Sequence, residues 1–291
     1  MDEPGSDEIP ALRRRLRYVR ISSDRLNLWR FPNFLIIGPQ RTGTTWLHAN
    51  LREHPEIFLT EPKELYFFSR LKMKDSPRFE SDELDWYLNF FRPPLRHRLY
   101  KHLQMRRRFG RLYQPRAFGE ATASYAAMDD DLIEEIAVLR PDVKILMMVR
   151  DPVDRAWSHA KKDLVRNRGR KMADVSDAEF HAFFSDPYQI RCAHYEQNLV
   201  RWQARFPAAQ IFVGSFEDVE QRPEELLARV TAFLGVSSDP RYIDAELSRS
   251  AVNPTGQSEV PERYRRYLEG LLAGPIDSWK RRFARGAEAS G

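Results

Sequence analysis

Residues 33–51 read Asn33-Phe34-Leu35-Ile36-Ile37-Gly38-Pro39-Gln40-Arg41-Thr42-Gly43-Thr44-Thr45-Trp46-Leu47-His48-Ala49-Asn50-Leu51. The apolar run from Phe34 to Ile37 is short and rich in β-branched and aromatic side chains, which predicts a buried strand. The chain then turns through Gly38-Pro39-Gln40-Arg41-Thr42-Gly43 and enters a predicted helix carrying Trp46, Leu47 and Leu51 on one side. A strand, a glycine-bounded loop and a helix N-terminus together make an anion site. Backbone N–H groups and the positive helix end converge on the loop, and Thr44 and Thr45 add hydroxyl donors.

The spacing is close to the Gly-x4-Gly-Lys-Ser/Thr loop of nucleoside triphosphate-binding proteins. Gly38 and Gly43 stand at its glycine positions and Thr45 at its last, but Thr44 occupies the lysine position. That lysine neutralises the β- and γ-phosphates of a triphosphate. Arg41 is the only cation in the loop, and one charged contact suits a nucleotide with a shorter 5′ group. The other reading of these residues is an ordinary tight strand-to-helix turn.

At 291 residues the chain is one large domain or two small ones, long enough to bury a sizeable core. Hydrophobic residues at 42% and charged residues at 31% describe a soluble globular protein. A net charge of +5 and a pI near 9.3 favour anionic ligands. Cys192 is the only cysteine, so no intramolecular disulfide forms, and the histidines are scattered, so no metal site is expected. Residues 1–20 are acidic and then basic without an apolar segment, and no run reaches the roughly 20 apolar residues of a membrane span. A cytoplasmic location is the simplest expectation. Residues 1–10 read as a loose tail and 12–20 as a solvated basic surface.

Residues 57–68 start as a strand that breaks at Pro62, after which Glu61, Lys63 and Glu64 are pressed against Leu65-Tyr66-Phe67-Phe68. A carboxylate there is partly desolvated and suited to accept a proton; the same residues also fit a solvent-facing turn before a core segment. Trp86, Tyr87, Phe90 and Phe91, at helical spacing, are expected in the core. Residues 92–116 carry many arginines and no acidic residue. They read either as a lid attracting an anionic acceptor or lipid surface, or as a solvated mobile insertion. No nucleic-acid-binding motif accompanies the charge, and nucleic acid is not expected as a partner.

Residues 130–139 predict a helix and 143–149 a central strand that ends in Arg150, with Ser158 eight positions on in the next helix. An arginine at a strand end and a serine on the adjoining helix can grip one phosphate together, although an arginine capping a sheet edge reads the same way. Further on, 177–206 is mainly helical, 210–214 a strand, 217–234 a helix punctuated by Pro223, and 248–260 a polar loop. Two amphipathic helices, 261–272 and 276–283, follow.

The stretch from Gly38 to Thr45, with Pro62-Lys63-Glu64-Leu65-Tyr66-Phe67-Phe68, resembles the PAPS-dependent sulfotransferases. The similar branch contains heparan sulfate N- and 3-O-sulfotransferases and bacterial carbohydrate or lipid sulfotransferases. The resemblance implies that Pro39, Gln40, Arg41, Thr42, Gly43, Thr44 and Thr45 wrap the 5′-phosphosulfate. It also implies that Glu64 is the general base and that Arg150 and Ser158 hold the 3′-phosphate. Residues 118–125 resemble the family's Glu-Lys-Ser/Thr-Pro-x-Tyr segment, with Ala121 in the lysine slot, so Lys63 or Arg41 has to supply any second catalytic cation. In the polar loop, where relatives close over the nucleotide, this chain offers Thr255 and Gly256.

The expected fold is α/β, a central parallel sheet flanked by helices, of the P-loop-containing nucleoside triphosphate hydrolase-like (sulfotransferase) type. Residues 1–291 are expected as a single domain, with 1–30 an N-terminal extension and 92–116 a basic insertion. The expected reaction moves a sulfuryl group from PAPS to a hydroxyl or amine of a carbohydrate, glycolipid or secondary metabolite, leaving PAP and using no metal. The competing readings are a P-loop kinase using ATP and magnesium, and a non-catalytic nucleotide-binding protein.

Overall fold

The apolar run at residue 34 forms strand β1 (Phe34–Gly38), buried along its whole length. The computed structural model describes residues 8–23, 28–250 and 259–283, so Thr255 and Gly256 lie outside the described residues. Four further strands, β2 (Ile57–Leu59), β3 (Ala117–Ala121), β4 (Lys144–Val149) and β5 (Ile211–Ser215), complete one sheet in the order β2-β3-β1-β4-β5. Every pairing is parallel; Leu35 sits opposite Glu120 on one side and Ile145 on the other.

Parallel strands need helical crossovers, which cover both sheet faces, and this explains why β1 and β4 read as unbroken apolar runs. Phe34, Ile36, Leu146 and Met148 pack against Trp46, Leu47 and Leu51 and against Leu226, Val230 and Leu234. Leu35, Ile37, Ile145, Met147 and Val149 point the other way, onto Ile133, Ile136, Trp202 and Phe206. Tyr87 and Phe91 join this second layer, with Trp86 and Phe90 packed against it, as their spacing predicts. A third apolar layer sets Val153, Ala156 and Trp157 of helix Pro152–Ala160 against Phe180, Tyr264 and Leu268, which anchors the helix that carries Ser158.

Two segments differ from their sequence reading. Residues 8–10 belong to a helix, Glu8–Arg15, whose Ile9 and Leu12 enter the core together with Val19 and Ile21. Three residues apart, Ile9 and Leu12 share one helix face, and the buried Glu135 carboxylate accepts the backbone N–H groups of Arg17, Tyr18 and Val19. Residues 12–20 are therefore basic on one side only. Within 92–116, residues Leu95–Phe109 form a helix of four turns, entered after Pro94 and closed by Gly110 at φ 68°.

Candidate active site

The loops that follow β1, β2, β3 and β4 share the carboxyl edge of the sheet, where α/β folds place ligands. After β1, Gly38 has φ 83°, and a Cβ there would stand 2.6 Å from the Ala123 carbonyl oxygen, so only glycine fits. Gly43, at φ 96°, leads into helix Thr44–Leu51, whose first amides have no acceptor within the helix. The buried Thr42 hydroxyl donates to the Pro39 carbonyl at 2.6 Å, so it braces the loop from within. Gln40 is braced too: its Nε2 donates to the Tyr188 hydroxyl at 2.6 Å. Thr44 is buried at the helix start and Thr45 half-buried beside it.

Arg41, the loop's one cation, has φ 72°, and its Nε donates to Ser158 Oγ at 2.9 Å. Residues assigned from sequence to opposite ends of a nucleotide are thus brought together. Arg150 lies against the same loop, its guanidinium 4.1 Å from the centre of the Phe216 ring and its Nη1 3.4 Å from the Arg41 carbonyl. Burial pulls the Arg41 pKa down to about 10, and the positive charges of Arg166 and Arg150 add to the effect. Burial also lowers the Lys161 pKa, followed by the charges of Arg150 and Arg41. Arg41 thus shares a partly buried region with Arg150 and Lys161 and lies within reach of the exposed Arg166, the nearby Asp163 offsetting part of the repulsion, and a polyanion would relieve the rest.

Behind these groups, Arg155 is fully buried and is held by Gln189, through the carbonyl at 3.1 Å and Oε1 at 3.4 Å. Its charge, after burial, helps push the His159 pKa down to about 3, so His159 is neutral near pH 7. Lys161 and Arg166 were not recognised from sequence. The available signal was spacing: Lys161 lies three positions after Ser158, and the helix then widens into an i→i+5 turn over Lys161–Val165, a feature common at functional sites.

After β2, Lys63 Nζ donates to Glu64 Oε1 at 2.9 Å, with both side chains about 15% exposed. Glu64 Oε2 is buried and has no hydrogen-bond partner among the described residues. Thr122 Oγ1 accepts the backbone N–H of Leu65 at 3.0 Å and of Tyr66 at 3.4 Å, while its own hydroxyl donates to Glu120 Oε2 at 2.8 Å. Tyr87 and Tyr125 donate to Glu120 Oε1 at 2.5 and 3.1 Å. Burial raises the Glu120 pKa to about 7 against these three hydrogen bonds, with the Glu64 charge adding a smaller upward push. Phe67 and Phe68, both buried, fix the far end of the loop. Sequence reasoning passed over Thr122 and Glu120 as supports of the loop that carries Glu64, and placed Ala121, buried in β3, where a lysine is usual.

The profile of the sulfotransferase family matches residues 32–240. Human bifunctional heparan sulfate N-deacetylase/N-sulfotransferase 2 is 26% identical over 235 residues, 78% of this chain and 24% of that protein. Mouse N-deacetylase/N-sulfotransferase 3 is 28% identical over 233 residues, again covering 24% of its length, so this chain spans about a quarter of each. Among solved structures, the sulfotransferase from Alicyclobacillus acidocaldarius is 26% identical with a TM-score of 0.57, covering 86% of this chain and 94% of that one. Mouse sulfotransferase SULT7A1, solved with PAP, shares the fold at 16% identity and a TM-score of 0.50, over 90% of each chain. The parallel sheet and the loop architecture agree with the profile, and the chain belongs to the sulfotransferase family.

Proposed function

We propose that this chain transfers the sulfuryl group of PAPS to a hydroxyl or amine of a saccharide-bearing acceptor, with PAP as the product. One observation carries the reading. At a single sheet edge, a cationic cluster built on Arg41, Arg150 and Ser158 accompanies a carboxylate, Glu64, that keeps one oxygen uncommitted. The relatives named for heparan sulfate support a saccharide over other acceptors, and a glycolipid or a secondary metabolite remains within the same chemistry.

In the proposed step, Glu64 Oε2 takes the acceptor proton as the acceptor oxygen or nitrogen bonds to sulfur in line with the leaving group. The bond from sulfur to the bridging oxygen breaks, and its electron pair stays on the 5′-phosphate of PAP. Arg41, the amides of Gly43, Thr44 and Thr45, and the two threonine hydroxyls meet that growing charge. Pro39, Gln40 and Thr42 keep the loop in shape. Lys63, in the absence of a lysine at position 121, is the cation nearest the base. Arg150 and Ser158 receive the 3′-phosphate, and Thr255 and Gly256 are assigned to the nucleotide by family resemblance alone. No residue of the loop supplies the lysine of an ATP site, so the kinase reading has no support.

We further infer one domain across the chain, with 1–30 as an extension, and a cytoplasmic location; among the described residues no helix is long and apolar enough to cross a membrane. The test is calorimetry of PAP and of ATP with magnesium on the same protein, beside Glu64→Gln. PAP should bind without metal and more tightly than ATP, and Glu64→Gln should lose at least ~100-fold in kcat with PAP affinity unchanged. A preference for ATP–magnesium would overturn the donor assignment. Activity surviving in Glu64→Gln would overturn the base.

A further inference from the structure

Helix Leu95–Phe109 has two unlike faces. Toward the protein it presents Lys101 and Met105, both buried, with His97 edge-on to Phe58 of β2 at 6.4 Å. Lys101 Nζ donates to the Arg52 carbonyl at 3.0 Å and to Glu53 at 3.2 Å; Gln104 and Arg108 also reach Glu53, and Arg108 pairs with Asp244. The acidic groups that touch the helix, Glu53 and Asp244, are thus engaged on this inner face.

The outer face carries large apolar side chains in the open. Leu95 is 69% exposed, Leu99 53% and Leu103 59%, and Tyr100 beside them is 63% exposed. Spaced by four, the three leucines form one ridge, and Arg107 continues it. Arg96 and Arg106 fall on the same arc. Together with Arg98 they make no ion pair among the described residues, and 92–116 contains no acidic residue. Such a ridge is uncommon on a free surface, and arginines alone would not require it.

We propose that this face docks on an anionic lipid bilayer, with Leu95, Leu99, Leu103 and Tyr100 seated at the headgroup–acyl boundary and Arg96, Arg106 and Arg107 among the headgroup phosphates. Charge complementarity selects an anionic partner, and the leucine ridge selects a bilayer over a soluble polyanion, which has no apolar layer to receive it. The docked helix lies next to the catalytic edge, because Arg52, whose carbonyl holds Lys101, also pairs with Glu61 at the start of the base loop.

The test is flotation of the whole chain with phosphatidylcholine vesicles, with and without phosphatidylglycerol, beside binding to immobilised heparin. Wild type should float with the anionic vesicles only, and less as salt is raised. Leu99→Gln/Leu103→Gln, at exposed positions, should float at least ~10-fold less while keeping PAP affinity and helix content; heparin retention should change far less. Each arginine among Arg96, Arg106 and Arg107 changed to alanine should lower flotation about 5-fold. No binding of wild type to anionic vesicles at low salt would overturn the proposal. So would equal flotation of the double glutamine variant, which would reduce the face to a polyanion site, or a self-association through this face that vesicles do not compete away.

Discussion

Replacing Glu120 by glutamine should remove a pH dependence of stability that wild type owes to this one carboxyl. In the folded chain Glu120 is fully buried, and its pKa rises from the ordinary 4.5 to about 7. A group that holds its proton more tightly when folded stabilises the fold below its unfolded pKa and loses that contribution as pH rises through the folded value. The window therefore runs from about pH 4.5 to about pH 7, and the rise corresponds to ~3 kcal/mol at 1.36 kcal/mol per pH unit. Glutamine keeps an acceptor oxygen for Tyr87 and Tyr125 and never ionises; its amide nitrogen cannot accept the Thr122 hydroxyl, a cost that is the same at every pH in the window. Buried His48 and His159, with pKa values lowered to about 4 and about 3, give slopes of the opposite sign, which cancel in the difference between the two proteins. The assay is urea unfolding of both proteins in steps from about pH 4 to about pH 8. The wild-type minus variant stability should fall by ~3 kcal/mol across the window and then level off. Parallel curves would refute the reasoning and show that Glu120 titrates alike in the folded and unfolded chain.

Arg150→Ala should weaken PAP by ~10- to 100-fold, the range of one or two charge-assisted hydrogen bonds, and calorimetry that finds unchanged affinity would remove Arg150 from the 3′-phosphate site. Gly38→Ala has to place a methyl group 2.6 Å from the Ala123 carbonyl at φ 83°. A loss of ~2 kcal/mol or more in denaturant unfolding, accompanied by loss of PAP binding, is expected. Thr122→Val strands the Leu65 N–H and removes a donor from Glu120, for ~2 kcal/mol of stability. Its kcat should fall with PAP affinity intact, because the change touches the base loop and leaves the nucleotide loop in place; an equal loss of both would point to general unfolding.

Local pattern was enough for much of the fold. An apolar run bounded by Gly38, a basic residue closing a second apolar run at Arg150, and aromatic residues at helical spacing around Tyr87 are read from neighbours in sequence, since strand burial and turn conformation depend on nearby residues. Helix Asp130–Leu139 and the strand ending at Val149 stand where the pattern put them. The N-terminal helix was missed because Arg13, Arg14 and Arg15 mask the narrow apolar face that Ile9 and Leu12 provide, and Glu135, which holds the backbone just beyond the helix, is more than 100 residues away.

By itself, then, the sequence determined an α/β chain with an anion loop lacking the triphosphate lysine, a carboxylate ahead of an aromatic run, and an arginine–serine pair beyond the central strand. Tertiary structure alone decided that Arg41 meets Ser158, that Lys161 and Arg166 come near them, and that Thr122 and Glu120 stand beneath the loop carrying Glu64. The physical reason is strand order. Because β3 lies between β2 and β1, the residues just after it sit under the loop that follows β2; because β4 adjoins β1 on the other side, its helix delivers Ser158 to the anion loop. Residue spacing along the chain does not encode which strands become neighbours; burial of both sheet faces does.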